Sequence, residues 1–121
     1  MRRRGRGERG AVTAELAMAL PLLLAVTVGL VWLLSVGVAQ VRVVDAAREA
    51  ARAIARGEDT PTSVSLAAEA APAAARVQVS TGAEAVVVTV SAAVDGPGGL
   101  FAFLPSVQVR SVATARLEPE S

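Results

Sequence analysis

Residues 16–39 carry no charge over 24 consecutive positions. As an α-helix, that run is roughly 36 Å long, against a hydrocarbon core of about 30 Å in a typical bilayer. A core helix of a soluble protein seldom stays uncharged for so long, so the run reads as a transmembrane helix with some tilt. A removable secretory signal is the rival, but its apolar region spans only about 7–15 residues. The greater length here favours an anchor that stays with the chain.

Charge is distributed unevenly around this run. The first ten residues hold Arg2, Arg3, Arg4, Arg6 and Arg9 against Glu8, a balance of +4. Residues 11–121 hold seven Arg and ten acids, a balance of −3. The basic character therefore belongs to a short leader, and a nucleic-acid surface is not expected. Positive charge ahead of the apolar run places the leader in the cytoplasm and the C-terminal part outside the cell membrane. Arg42, Arg48, Arg52 and Arg56 beyond the run pull the other way, interspersed with Asp45 and Glu49.

The chain lacks Cys, His, Lys and Tyr. No disulfide and no Cys/His metal site can form. General acid–base chemistry would fall to carboxylates alone, and no two of them stand in a context that suggests a catalytic pair. No Gly-rich loop sits between a strand and a helix as a phosphate cradle would require. The expectation is a non-enzyme with no cofactor and no small-molecule substrate.

The helix is expected to continue past the membrane to about Arg56. At 100° per residue, Arg42, Asp45, Arg48, Glu49, Arg52 and Arg56 fall within an arc of roughly 120°, and Val43, Ala47, Ala50 and Ile54 line the opposite side. Asp45–Arg48 and Glu49–Arg52 are spaced as i,i+3 ion pairs, and Gly57 is placed to cap the helix end. Thr60 followed by Pro61 predicts a second, short helix to about Ala71.

The rest reads as strand. Val77 and Val79 alternate with polar residues. Gly82 marks a hairpin turn over residues 81–84. Val86, Val88, Val90, Ala92 and Val94 then share one face. A last strand is expected from about Val107 to Leu117. The expected fold is α+β: a long N-terminal transmembrane helix continuing into a small distal domain of one short helix and a three-stranded antiparallel sheet. The divisions are a basic leader at 1–10, read as disordered, a helix at 11–56 and an extracytoplasmic domain at 57–121. Both Phe residues lie in residues 100–104, read as a cover on the small core, with a docking surface as the sharper alternative.

The most informative segment is the leader–helix junction, Glu8-Arg9-Gly10-Ala11-Val12-Thr13-Ala14-Glu15-Leu16. Glu15 borders the uncharged run, where a carboxylate costs free energy unless something answers its charge. Its plainer role is to complement the helix dipole in a first turn. A basic leader, Gly, four small or apolar residues, Glu and a long apolar run together resemble the class III signal of type IV pilins. The chain is most similar to TadE-type minor pilins of the tight-adherence (Flp) system, of the small actinobacterial kind. Glu15-Leu16, Leu20-Pro21-Leu22-Leu23-Leu24 and Asp45-Ala46-Ala47-Arg48-Glu49-Ala50-Ala51-Arg52 carry the likeness; Leu16 stands where many relatives have Phe.

That resemblance implies cleavage between Gly10 and Ala11 by a prepilin peptidase on the cytoplasmic side. It implies that Glu15 pairs with the new terminal amine of a neighbouring subunit during assembly. The implied partners are the lipid bilayer, the peptidase, other pilin-like subunits and the Tad inner-membrane platform. Pro21 is either a tolerated membrane-helix proline or a kink that aids helix packing. Gly29 and Gly37 would permit close helix contact, or be unremarkable members of such a helix. Rival functions are an unprocessed, signal-anchored binding module and an accessory membrane subunit.

Overall fold

The computed structural model describes residues 2–98 and 101–119. Helix α1 runs without interruption through Arg2–Ala55, followed by α2 (Thr60–Ala70), β1 (Arg76–Thr81), β2 (Ala85–Val94) and β3 (Val107–Arg116). The strands form an antiparallel sheet in the order β1-β2-β3, with β2 at the centre. The α+β fold and its elements are those that the hydrophobic periods predict.

The head forms where the distal half of α1 lies across one face of the sheet. Its buried stripe is Ala39, Val43, Ala46, Ala47, Ala50, Ala51 and Ile54. The sheet answers with Val86, Val88, Val90 and Ala92 from β2 and Val109 from β3. The register puts Val77 opposite Val90, Val79 opposite Val88 and Val109 opposite Ala92, so alternate positions on all three strands share the core face. Helix α2 contributes Ser63 and Ala67 at helical spacing. No aromatic enters this core, and its largest fully buried side chains are Val43, Val86, Val88 and Val90. Small residues on the helix let the sheet approach closely, so the layer between them is thin.

Two details of the helix ends differ in quality from their sequence cues. The end of α1 is a full Schellman motif: Gly57 N donates to Ile54 O at 3.0 Å, and Glu58 N to Ala53 O at 3.1 Å. Gly57 takes φ +91°, which side chains rarely adopt. Gly57→Ala is therefore expected to destabilise the head by about 1–2 kcal/mol, measurable by chemical unfolding of the detergent-solubilised chain. At α2 the cap is Asp59, one residue before the expected Thr60. Its carboxylate accepts from Thr62 N at 3.1 Å and from Thr62 Oγ1 at 2.8 Å, while Thr60 is already helical.

Three expectations need correction. The leader is helical from Arg2 onward rather than disordered; Met1 lies outside the described residues. Extending an existing helix costs far less than nucleating one, and Arg is a good helix former. Of the two predicted ion pairs on α1, Glu49–Arg52 closes at 3.4 Å. Asp45–Arg48 does not close among the described residues, and both side chains remain in solvent, where such a pair gains little. The loop with the two Phe residues does not cover the domain core. Phe101 packs on Gly29 of α1 and Phe103 is 79% exposed; Leu100 lies outside the described residues.

Candidate functional site: the leader–helix junction

Gly10, Ala11 and Glu15 sit on consecutive turns of α1, all exposed. Ala11 and Glu15 are four residues apart and share a face, the spacing at which helical side chains meet. Thr13 Oγ1 donates to Arg9 O at 2.8 Å, which ties the hydroxyl to the turn that contains the Gly10–Ala11 bond. A Cβ added at Gly10 would meet nothing within 4 Å. Any constraint on residue size at that position must come from outside the chain.

The leader is the weakest part of this helix. It carries Gly5, Gly7 and Gly10, each costing about 0.5–1 kcal/mol against Ala in a helix interior. Its Arg residues cluster at the positive end of the dipole, and the first turn holds no acid. Unwinding this stretch therefore costs less than unwinding an Ala- and Leu-rich helix of the same length.

Glu15 is the single charged residue between Arg9 and Arg42. The hydroxyls of the apolar segment are each satisfied internally: Thr13 as above, Thr27 Oγ1 on Leu23 O at 2.8 Å and Ser35 Oγ on Trp32 O at 2.6 Å. A lipid-facing helix requires this economy of polar groups. Glu15 is the exception, with no partner of its own among the described residues.

Pro21 lies inside α1, and the helix runs through it. Lacking an N–H, it leaves the carbonyl of Ala17, one turn back, without its usual donor. Gly37 faces open space. Gly29 does not: a Cβ there would stand 3.7 Å from Phe101 Cζ, so the small residue seats an aromatic ring from the β2–β3 loop. Trp32 Nε1 donates to Asp95 O at 2.9 Å one turn further on. Sequence reasoning missed this contact, because nothing local marks Gly29 or Trp32 as the seat of a loop more than 60 residues away.

The stripe of partly covered residues on α1 runs Ala25, Val28, Gly29, Trp32 and Val36 before reaching buried Ala39. The final turns of the uncharged run thus belong to the head, and Val36 and Ala39 pack in its core. Below Ala25 nearly every side chain is exposed, including Leu16, Met18, Leu20, Leu22, Leu23 and Leu24 at 56% or more. That helix is long and apolar enough to cross a membrane.

At the far end of the head an open cleft of 1040 Å³ is bordered by Arg56, Glu84, Arg116 and Glu118. Arg56 donates to Glu58 at 2.9 Å, and this bond raises the guanidinium above its ordinary value. The cleft presents mixed, solvated charge and gathers no convergent set of groups.

Residues 10–52 match the model of a protein family described as TadE-like. The match takes in the junction, the apolar run and the amphipathic extension, and it stops before α2 and the sheet. No curated protein and no solved structure matches the chain.

Proposed function

Because residues 10–52 match the model of a TadE-like family, we propose that the chain is a non-catalytic minor pilin or pseudopilin of a Flp/Tad-type pilus apparatus. It is anchored in the cell membrane by α1, with the leader in the cytoplasm and the head outside. A prepilin peptidase removes the leader after Gly10. The observation that carries this proposal is the position of Glu15 as the lone charge of the apolar segment, five residues past Gly10 and within a family match that opens at that glycine.

Cleavage would turn Ala11 into the first residue of α1, with a free ammonium at the positive end of the helix dipole. Glu15 lies in the following turn, on the same face. Its carboxylate can answer that ammonium in its own chain or in a neighbour, and the two charges offset each other where water is scarce. Other pilin-like subunits and the Tad platform in the membrane are the partners this chemistry suits. Pro21 adds a site of weakened helix next to the pair, roughly 9 Å along the axis from Glu15.

Mass spectrometry of the protein extracted from membranes that contain the peptidase tests the assignment. The expected mature chain begins at Ala11, and Gly10→Val retains the leader. A wild-type chain that still begins at Met1, or one cut beyond the apolar run, overturns it.

One observation favours a second reading, an unprocessed anchored module. The Gly10–Ala11 bond lies within an unbroken helix, a form that resists proteolysis until it unwinds. Under that reading Gly10→Val and Glu15→Ala leave display of the head outside the cell unchanged.

A further inference from the structure

The chain contains three aromatic residues, Trp32, Phe101 and Phe103, and the fold brings Trp32 and Phe101 to adjacent turns of α1, with Phe103 close by in the chain. Phe101 lies on Gly29. Trp32, one turn above, is tied by its indole N–H to the carbonyl of Asp95. Phe103 stands two residues from Phe101 and is 79% exposed. Within the β2–β3 connection, Phe101 N donates to Gly98 O and Leu104 N to Phe101 O, both at 3.0 Å. Beside it runs a 390 Å³ groove lined by Val26, Gly29, Leu30, Leu33, Phe101 and Leu104, all of them apolar.

We propose that this β2–β3 loop is a second membrane-contacting element, which seats the head on the outer leaflet by placing Phe103 and Leu104 among the lipid headgroups and upper acyl chains. The occupant of the groove is lipid because the groove is continuous with the exposed apolar surface of α1, from Leu16 to Leu24, that needs lipid already. An indole with its N–H bonded and its ring apolar suits a membrane–water boundary, and an exposed Phe nearby finds apolar cover there. Unpaired backbone cannot enter the hydrocarbon core. The loop therefore rests at headgroup depth and only its side chains descend.

This contact sets the depth of α1. If the outer boundary lies at Gly29–Trp32, a hydrocarbon core of about 30 Å takes about 20 residues of helix, and the inner boundary falls near Gly10–Ala11. The scissile bond then sits at the cytoplasmic surface, where a peptidase reaches it. Glu15 lies roughly 6 Å inside the hydrocarbon rather than at its margin. Counting from the uncharged run alone would have ended the membrane at Ala39, which the head in fact buries.

The proposal rests on α1 spanning the membrane, as in the function proposed above, but not on leader removal. Its test is the full chain carrying Phe103→Trp, with the wild-type chain supplying the Trp32 signal to be subtracted, reconstituted in vesicles of phosphatidylethanolamine and phosphatidylglycerol. Phe103 is exposed and Trp32 keeps its bond to Asp95 O, so the substitution leaves the seat of the loop intact. The expected result is blue-shifted emission, several-fold protection from aqueous iodide, and stronger quenching by lipids brominated near the headgroup end of the chain than by lipids brominated at its tip. Full access to iodide overturns the proposal. So does protection that vanishes on dilution with excess lipid, which would make a second copy of the chain the occupant. Retention of the protein through a carbonate wash reports spanning separately, and the N-terminal mass reports processing. Failure of the loop contact is thereby told apart from failure of either.

Discussion

Glu15→Ala is expected to leave the chain in the membrane with its leader still removed, yet to lower its recovery with assembled pilus or platform components by about ten- to hundredfold. The magnitude is that of one charge-assisted hydrogen bond to an ammonium, lost where water does not replace it. The effect should not depend on folding of the head, because Glu15 is exposed and lies far from the buried stripe that begins at Ala39. Glu15→Gln sharpens the test: it keeps the shape and the helix propensity but not the charge, and a similar loss is expected. Co-purification from cells expressing the pilus system measures the recovery, and the N-terminal mass confirms that processing continues. Wild-type recovery of both variants would show that the acid answers no amine, and the anchored-module reading would then stand.

The second large effect concerns the head. Val88 is fully buried at the centre of β2, flanked by Val79 on β1 and Ala113 on β3. Val88→Asp would place a carboxylate between strands and helix with no partner, a change that costs about 4 kcal/mol or more. A head of this size has little to spare: small cores rarely supply more than about 3–5 kcal/mol, and this one consists of Val, Ala and a single Ile. The head is therefore expected to unfold while α1 stays embedded. Limited proteolysis of reconstituted vesicles should then remove most of the chain beyond residue 57 and leave a protected N-terminal fragment. A head that resists protease as well as wild type would mean that the sheet does not depend on this core.

Much of the architecture was legible because it rests on local period and on residues with few options. Val86, Val88 and Val90 alternate on one face, and nothing but a strand buries them together. Gly57 follows a helical stripe that ends at Ile54, and its positive φ explains the choice of glycine. The cap of α2 falls one residue before the expected Thr60 because Asp59 and Thr60 are both capping residues, and Pro61 suits either the first or the second helical position. The Gly and Arg content of the leader points to disorder, whereas continuation from a long helix outweighs a few weak formers. The lone acid at the junction was visible, since a carboxylate beside 24 uncharged positions stands out in any register. The seat of the loop on Gly29 was not. It depends on how far down α1 the sheet lies, and no pattern within either segment encodes that.

The order β1-β2-β3 has a consequence for how the head comes to exist at all. Each strand pairs with its neighbour in the chain, and the longest stretch to be closed within the sheet is the connection at residues 95–106. The entropy of closing such a stretch grows slowly with its length and is modest here. In the topology proposed above, with α1 held by lipid and the rest emerging outside, each strand is expected to meet its partner in the order of arrival. The β1–β2 hairpin and then β3 can close beside the helix with no distant segment required.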